Sequence, residues 1–78
     1  MTARDWAESI LAELDRAQRC FPAFHSAHEG YGVLLEEVDE LWDAIRANDR
    51  GAHGMDKEAV QVAAMALRFL VDSAGWGA

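Results

Sequence analysis

Apolar residues recur along this chain at intervals of three and four, the period of an α-helix with one buried face. From Thr2 or Asp5 to about Arg19 the repeating positions are Trp6, Ile10, Leu14 and Ala17, which predicts a first amphipathic helix over 5–19. Phe21-Pro22 closes it, because proline disfavours helical backbone at the residue before it, and a short hinge follows from Phe21 to Ser26. A second helix starts near Ser26 or later and is predicted over 27–48. Tyr31, Leu34, Leu35, Val38, Leu41, Trp42 and Ile45 carry its pattern. Gly30 and Gly32 weaken its first turns, so the well-formed part is expected from Tyr31 onward.

Asn48-Asp49-Arg50-Gly51 and Gly54 read as a polar loop, with Asp56 the expected cap of a third helix over 56–72. Ser73 to Ala78 read as a frayed end. The third helix is apolar nearly all round, from Ala59 and Val60 through Val62, Met65 and Leu67 to Phe69 and Leu70. Two other helices offer it little cover, which points to burial against a second copy of the chain. No strand-like alternation of useful length and no internal repeat is present, so the expected fold class is all-α. The expected form is a three-helix protomer pairing into an oligomeric core of the four-helix-bundle type.

Size supports the pairing. A chain of 78 residues forms one domain that hides only about 60% of the surface its unfolded form exposes, so a lone core is marginal. Fourteen acidic against seven basic side chains give a formal net charge of −7, which repels nucleic-acid backbone and leaves no basic stripe to follow one. The single Cys20 has no intramolecular partner and sits where a helix ends, so a reducing, cytoplasmic setting is expected. No apolar window is long enough for a membrane span, and no export signal is visible. His25, His28 and His53 have neither the number nor the separation for a tetrahedral metal cage. Met55 and Met65 are expected to fill gaps in the core.

Acidic residues crowd the second helix as Glu36, Glu37, Asp39, Glu40 and Asp43, and such a run is by default a solvated face. At about 100° per residue, Glu36, Asp39 and Asp43 project opposite the apolar stripe, whereas Glu37 and Glu40 border it. Glu58 falls within the apolar stripe of the third helix, on the face of Val62, Met65 and Phe69. A charge there must be protonated, paired with a cation, or solvated at the helix end, where the dipole also favours it. If Glu37, Glu40 and Glu58 meet across two packed helices, they form the hard oxygen cage that Mg²⁺ requires.

Glu36-Glu37-x-x-Glu40, seventeen residues, then Glu58-x-x-Gln61 resembles the signature of the MazG-like, all-α nucleotide pyrophosphohydrolases over roughly His28 to Val71. The family pattern ends in aspartate where this chain has Gln61, a neutral amide and a weaker ligand. The resemblance implies Mg²⁺, with Mn²⁺ as a substitute, held by Glu37, Glu40, Glu58 and Gln61. It also implies hydrolysis of a nucleoside triphosphate to monophosphate and pyrophosphate by a homodimer or homotetramer. Glu36 and Glu37 are the candidate catalytic carboxylates, and Glu36 is the candidate base. Lys57 is the first choice to meet phosphate, ahead of Arg50 and Arg68, and Trp42, Tyr31 and Phe24 are candidate walls for a base. The alternative is a non-catalytic helical interaction module on the same scaffold.

Overall fold

The computed structural model describes residues 1–51 and 53–77. Three helices follow in order: α1, Ala3–Cys20; α2, Ala27–Arg46; and α3, Met55–Ser73. No strand is present among the described residues. The all-α expectation therefore holds, and so does the position of both breaks.

Local chemistry explains the boundaries. α1 opens with a capping box, in which Thr2 Oγ1 accepts from the Asp5 amide at 3.2 Å and Asp5 accepts from the Thr2 amide at 2.9 Å. It ends at Phe21, whose backbone is extended as the following proline requires. The Ser26 side chain caps α2 by accepting from the Glu29 amide at 3.1 Å, which lets the helix form through both glycines from Ala27. α2 stops two residues earlier than its periodicity predicts, because Asn48 turns into left-handed backbone at φ 54°. Asp56 does not cap α3. Gly54 holds that position without a side-chain hydrogen bond, and Asp56 lies in the first turn. Gly54 is required there, since a Cβ would lie 2.2 Å from the Asp49 carbonyl oxygen.

α3 is the centre of the protomer. α1 and α2 each pack on it, and their backbones do not pack on each other among the described residues. The cover that α3 receives is partial: Ala64 and Met65 are its buried apolar side chains, Val60, Val62, Leu67 and Phe69 are half-buried, and Leu70 and Val71 are exposed. The buried core is small, formed by Ala17, Phe24, Ala64 and Met65 with Ile10, Val33, Leu34, Phe69 and Trp76 packed around it. A longer uncovered apolar stripe lies on α2, where Tyr31, Leu35, Val38, Trp42 and Ile45 are all exposed. Their spacing of four, three, four, three is that of a coiled-coil seam.

Arg68 is no surface charge. It is buried, pairs with Asp72 at 3.6 Å, donates to the Pro22 carbonyl, and lies 4.1 Å from the centroid of the Phe24 ring. Asp72 in turn accepts from the Phe24 amide at 2.9 Å. Nor does the tail fray as expected: Trp76 meets Phe69 edge-on with ring centroids 5.0 Å apart and donates to the Phe24 carbonyl at 2.7 Å; Ala78 lies outside the described residues.

Replacing Arg68 by alanine strands Asp72 as a buried, unpaired charge and frees the hinge. A loss of about 3 kcal/mol in urea-unfolding free energy is expected, and a loss of less than about 1 kcal/mol would show that solvent already screens the pair.

Candidate metal centre

Two helices bring three carboxylates together. Glu37 and Glu40 lie one turn apart on α2, and Glu58 lies one turn into α3. One oxygen from each falls within 4.8 Å of the others. Mg²⁺ at its usual metal–oxygen distance holds oxygens roughly 3 Å apart when adjacent and roughly 4.2 Å apart when opposite, so small side-chain rotations bring this set onto one ion. The donors are all hard carboxylate oxygens, the chemistry suited to Mg²⁺ or Mn²⁺.

Glu40 is exposed, but the burial of the other two makes the cluster more than a surface run of acids. Glu37 and Glu58 are half-buried, and the Oε2 atom of each is buried with no hydrogen-bond partner among the described residues. A buried carboxylate oxygen without a donor demands a proton or a cation. Desolvation, reinforced by Glu40 and then Glu58 and Glu36, pushes the Glu37 carboxyl up to about 7. Glu58 rises too, first by desolvation and then through Glu40, with Lys57 pulling the other way.

Gln61 lines the cleft beside Glu37 and also the groove beside Glu13 on α1. Hydrogen bonding from Arg16 is the main reason that the Glu13 carboxyl sits below its ordinary value, and Gln61 adds to it. Glu36, expected to face outward, is exposed yet borders the same cleft as Glu37. Lys57 is exposed in the first turn of α3, next to Glu58.

Trp42 is not brought to the carboxylates within the protomer. It stands on the outer seam of α2, with the Arg46 guanidinium 5.9 Å from its ring centroid. Tyr31 shares that seam, and Phe24 is buried beneath Arg68. The histidines lie apart from the triad: His25 pairs with Glu29 at 3.1 Å, and His28 borders an apolar hollow with Tyr31 and Phe69. Cys20 is free and exposed at the end of α1.

What sequence reasoning missed is α1. Glu13 and Arg16, spaced three apart on its polar side, face the groove beside Lys57 and Gln61. Their i, i+3 pairing was the available signal, but it is equally the mark of a solvated helix face. Comparison of the chain with family models, curated proteins and solved structures gives no match.

A raised Glu37 has a signed consequence for stability. The folded form holds its proton more tightly than the unfolded chain, so the favourable contribution is complete below pH 4.5 and is lost as pH rises to about 7. The melting temperature of the metal-free protein should fall by a few degrees across that window. Glu37→Gln should flatten the fall, and Mg²⁺ should reverse it by binding the ionised form. A melting temperature independent of pH in this range, in both proteins, would show the cluster to be solvated.

Proposed function

We propose that this chain is a Mg²⁺-dependent nucleoside triphosphate pyrophosphohydrolase of the MazG-like kind, acting on the cytoplasmic nucleotide pool, with Mn²⁺ able to replace Mg²⁺. The observation that carries the proposal is the pair of buried, unpartnered oxygens on Glu37 and Glu58 beside Glu40. The resemblance of the glutamate pattern supports it, and the acidity of the chain makes a cation necessary between protein and triphosphate.

Glu37, Glu40 and Glu58 would hold the ion, with Gln61 beside them as a neutral donor to a bound water or the ion itself. When bound, the ion supplies polarisation of a phosphoryl oxygen and a lowered pKa for the attacking water. Glu36, at the cleft rim, is the proposed proton acceptor. Lys57 is the proposed phosphate contact, its ammonium adjacent to the carboxylates whose charge it already offsets.

The exposed seam of α2 is the proposed interface to a second copy, giving a homodimer or homotetramer. Five large apolar side chains at seam spacing would otherwise remain in water. Such an interface would cover Trp42 with the second copy.

The same seam, together with Gln61 in place of a charged ligand, favours a second reading, a helical interaction module without catalysis. The two readings separate cleanly in solution. Incubation of the protein with a panel of ribo- and deoxyribonucleoside triphosphates and Mg²⁺ should release pyrophosphate and nucleoside monophosphate, and Glu58→Gln should lower the rate at least about a hundredfold. No release across the panel, with Mg²⁺ binding by calorimetry too weak to detect and unchanged in Glu37→Gln, establishes the module. For the interface, Trp42→Glu should convert the oligomer to a monomer by light scattering; an unchanged mass would place the interface elsewhere.

A further inference from the structure

Positive charge is scarce in this chain, and it is not spread evenly. Of its seven lysines and arginines, three, Arg16, Arg19 and Lys57, line one groove of 1110 Å³ between α1 and the first half of α3, with His53 at its end. The two carboxylates in the groove are Glu13 and Asp56. Glu13 is already spent: it takes the Nε donor of Arg16 at 2.9 and 3.1 Å and also its Nη2 donor. The half-buried Trp6 contributes an indole to the wall.

This groove adjoins the cleft that Glu37 borders. Arg16 and Gln61 line both it and the 460 Å³ cleft between α1 and α2 that Glu36 and Glu37 border. Lys57 lies in the groove while its neighbour Glu58 belongs to the carboxylate cluster. A cation-demanding cluster and a cation-bearing groove therefore lie side by side, with Arg16 and Gln61 on their shared wall. A linear polyanion carrying a divalent ion at one point has the same alternation of charge.

We propose that the α1–α3 groove is a polyphosphate-binding subsite, in which Arg16, Arg19 and Lys57 hold the phosphates that extend away from the metal, and Trp6 offers a face to a planar ring when one is attached. The role rests on the nucleotide-hydrolase reading for its biological ligand, but binding of the polyanion does not require the metal. α1 is then more than a cover for the core: it supplies two of the three cations and the ring platform. Arginine suits the task because its planar fork meets phosphate oxygens in pairs.

The test is an amide and indole NMR titration of the full chain with inorganic tripolyphosphate in the presence of a chelator, repeated with a nucleoside triphosphate. Tripolyphosphate should shift the signals of Arg16, Arg19, Lys57 and Gln61, and Arg19→Glu and Lys57→Glu should each weaken binding about tenfold. Glu37→Gln should leave it unchanged or tighten it. The nucleoside triphosphate should shift the Trp6 indole in addition; a shift no larger than with tripolyphosphate would assign the groove to phosphate alone and overturn the ring contact. Circular dichroism of the two charge reversals, both at exposed positions, verifies the fold. Absence of shifts in the groove, or affinity unchanged in both variants, overturns the subsite. A groove that binds tripolyphosphate in a protein that hydrolyses nothing removes the enzymatic reading and leaves the subsite standing. Hydrolysis with unaltered KM in both charge reversals does the reverse.

Discussion

The protomer depends on a guanidinium buried at the wall of the cleft beside α3. Because α1 and α2 lean on α3 and not on each other, the hinge joining them depends on what α3 offers it. Arg68 and Asp72 make that offer. One donates to the Pro22 carbonyl, the other accepts from the Phe24 amide, and the Phe24 ring closes over the guanidinium. Two charges are satisfied by each other and by backbone, so the ionic cost is offset and the hinge gains a fixed exit angle. The angle keeps α1 and α2 apart, which is why a cleft exists between them with α3 as its floor.

The periodicity of apolar residues carried most of the architecture, since amphipathic helices and a proline are strong local signals. The misplacements have local causes. Asn48 ends α2 because the turn needs a left-handed residue, and Gly54 displaces Asp56 as cap because the Asp49 carbonyl leaves no room for a side chain. Arg68 was legible as a charge but not as a buried one. Its partners Pro22 and Phe24 lie 46 and 44 residues away in sequence, and no helical wheel relates them. The same limit hid Trp76, whose contacts at Phe69 and Phe24 are made only after the chain has closed.

The carboxylate cluster was more legible than its surroundings. Glu37, Glu40 and Glu58 could be related by helical projection, because each lies near an apolar stripe and the stripes must meet. Lys57 came with Glu58 as its neighbour. The contribution of α1 was not visible from its own sequence, in which Glu13, Arg16 and Arg19 form an ordinary polar face. It becomes a wall only because α1 packs on the flank of α3 that also carries Lys57 and Gln61. Trp42 shows the converse. Its place in the apolar pattern of α2 was plain, but that pattern divides into two stripes, one packed against α3 and one exposed.

The turn between α2 and α3 also sets a rotational phase. The Met55 amide donates to the Asp49 carbonyl at 2.7 Å, and the Asp49 amide donates to Ala44 at 3.0 Å, so the end of one helix is bonded directly to the start of the next. Lengthening this connection by one residue would rotate α3 by about 100° about its axis or force it to climb, and Glu58 would leave the side of α2 that holds Glu37 and Glu40. The number of residues in the turn, as well as the glycine it demands at Gly54, is therefore what aligns the acids, and an insertion there would scatter the cluster while leaving every one of its side chains in the chain.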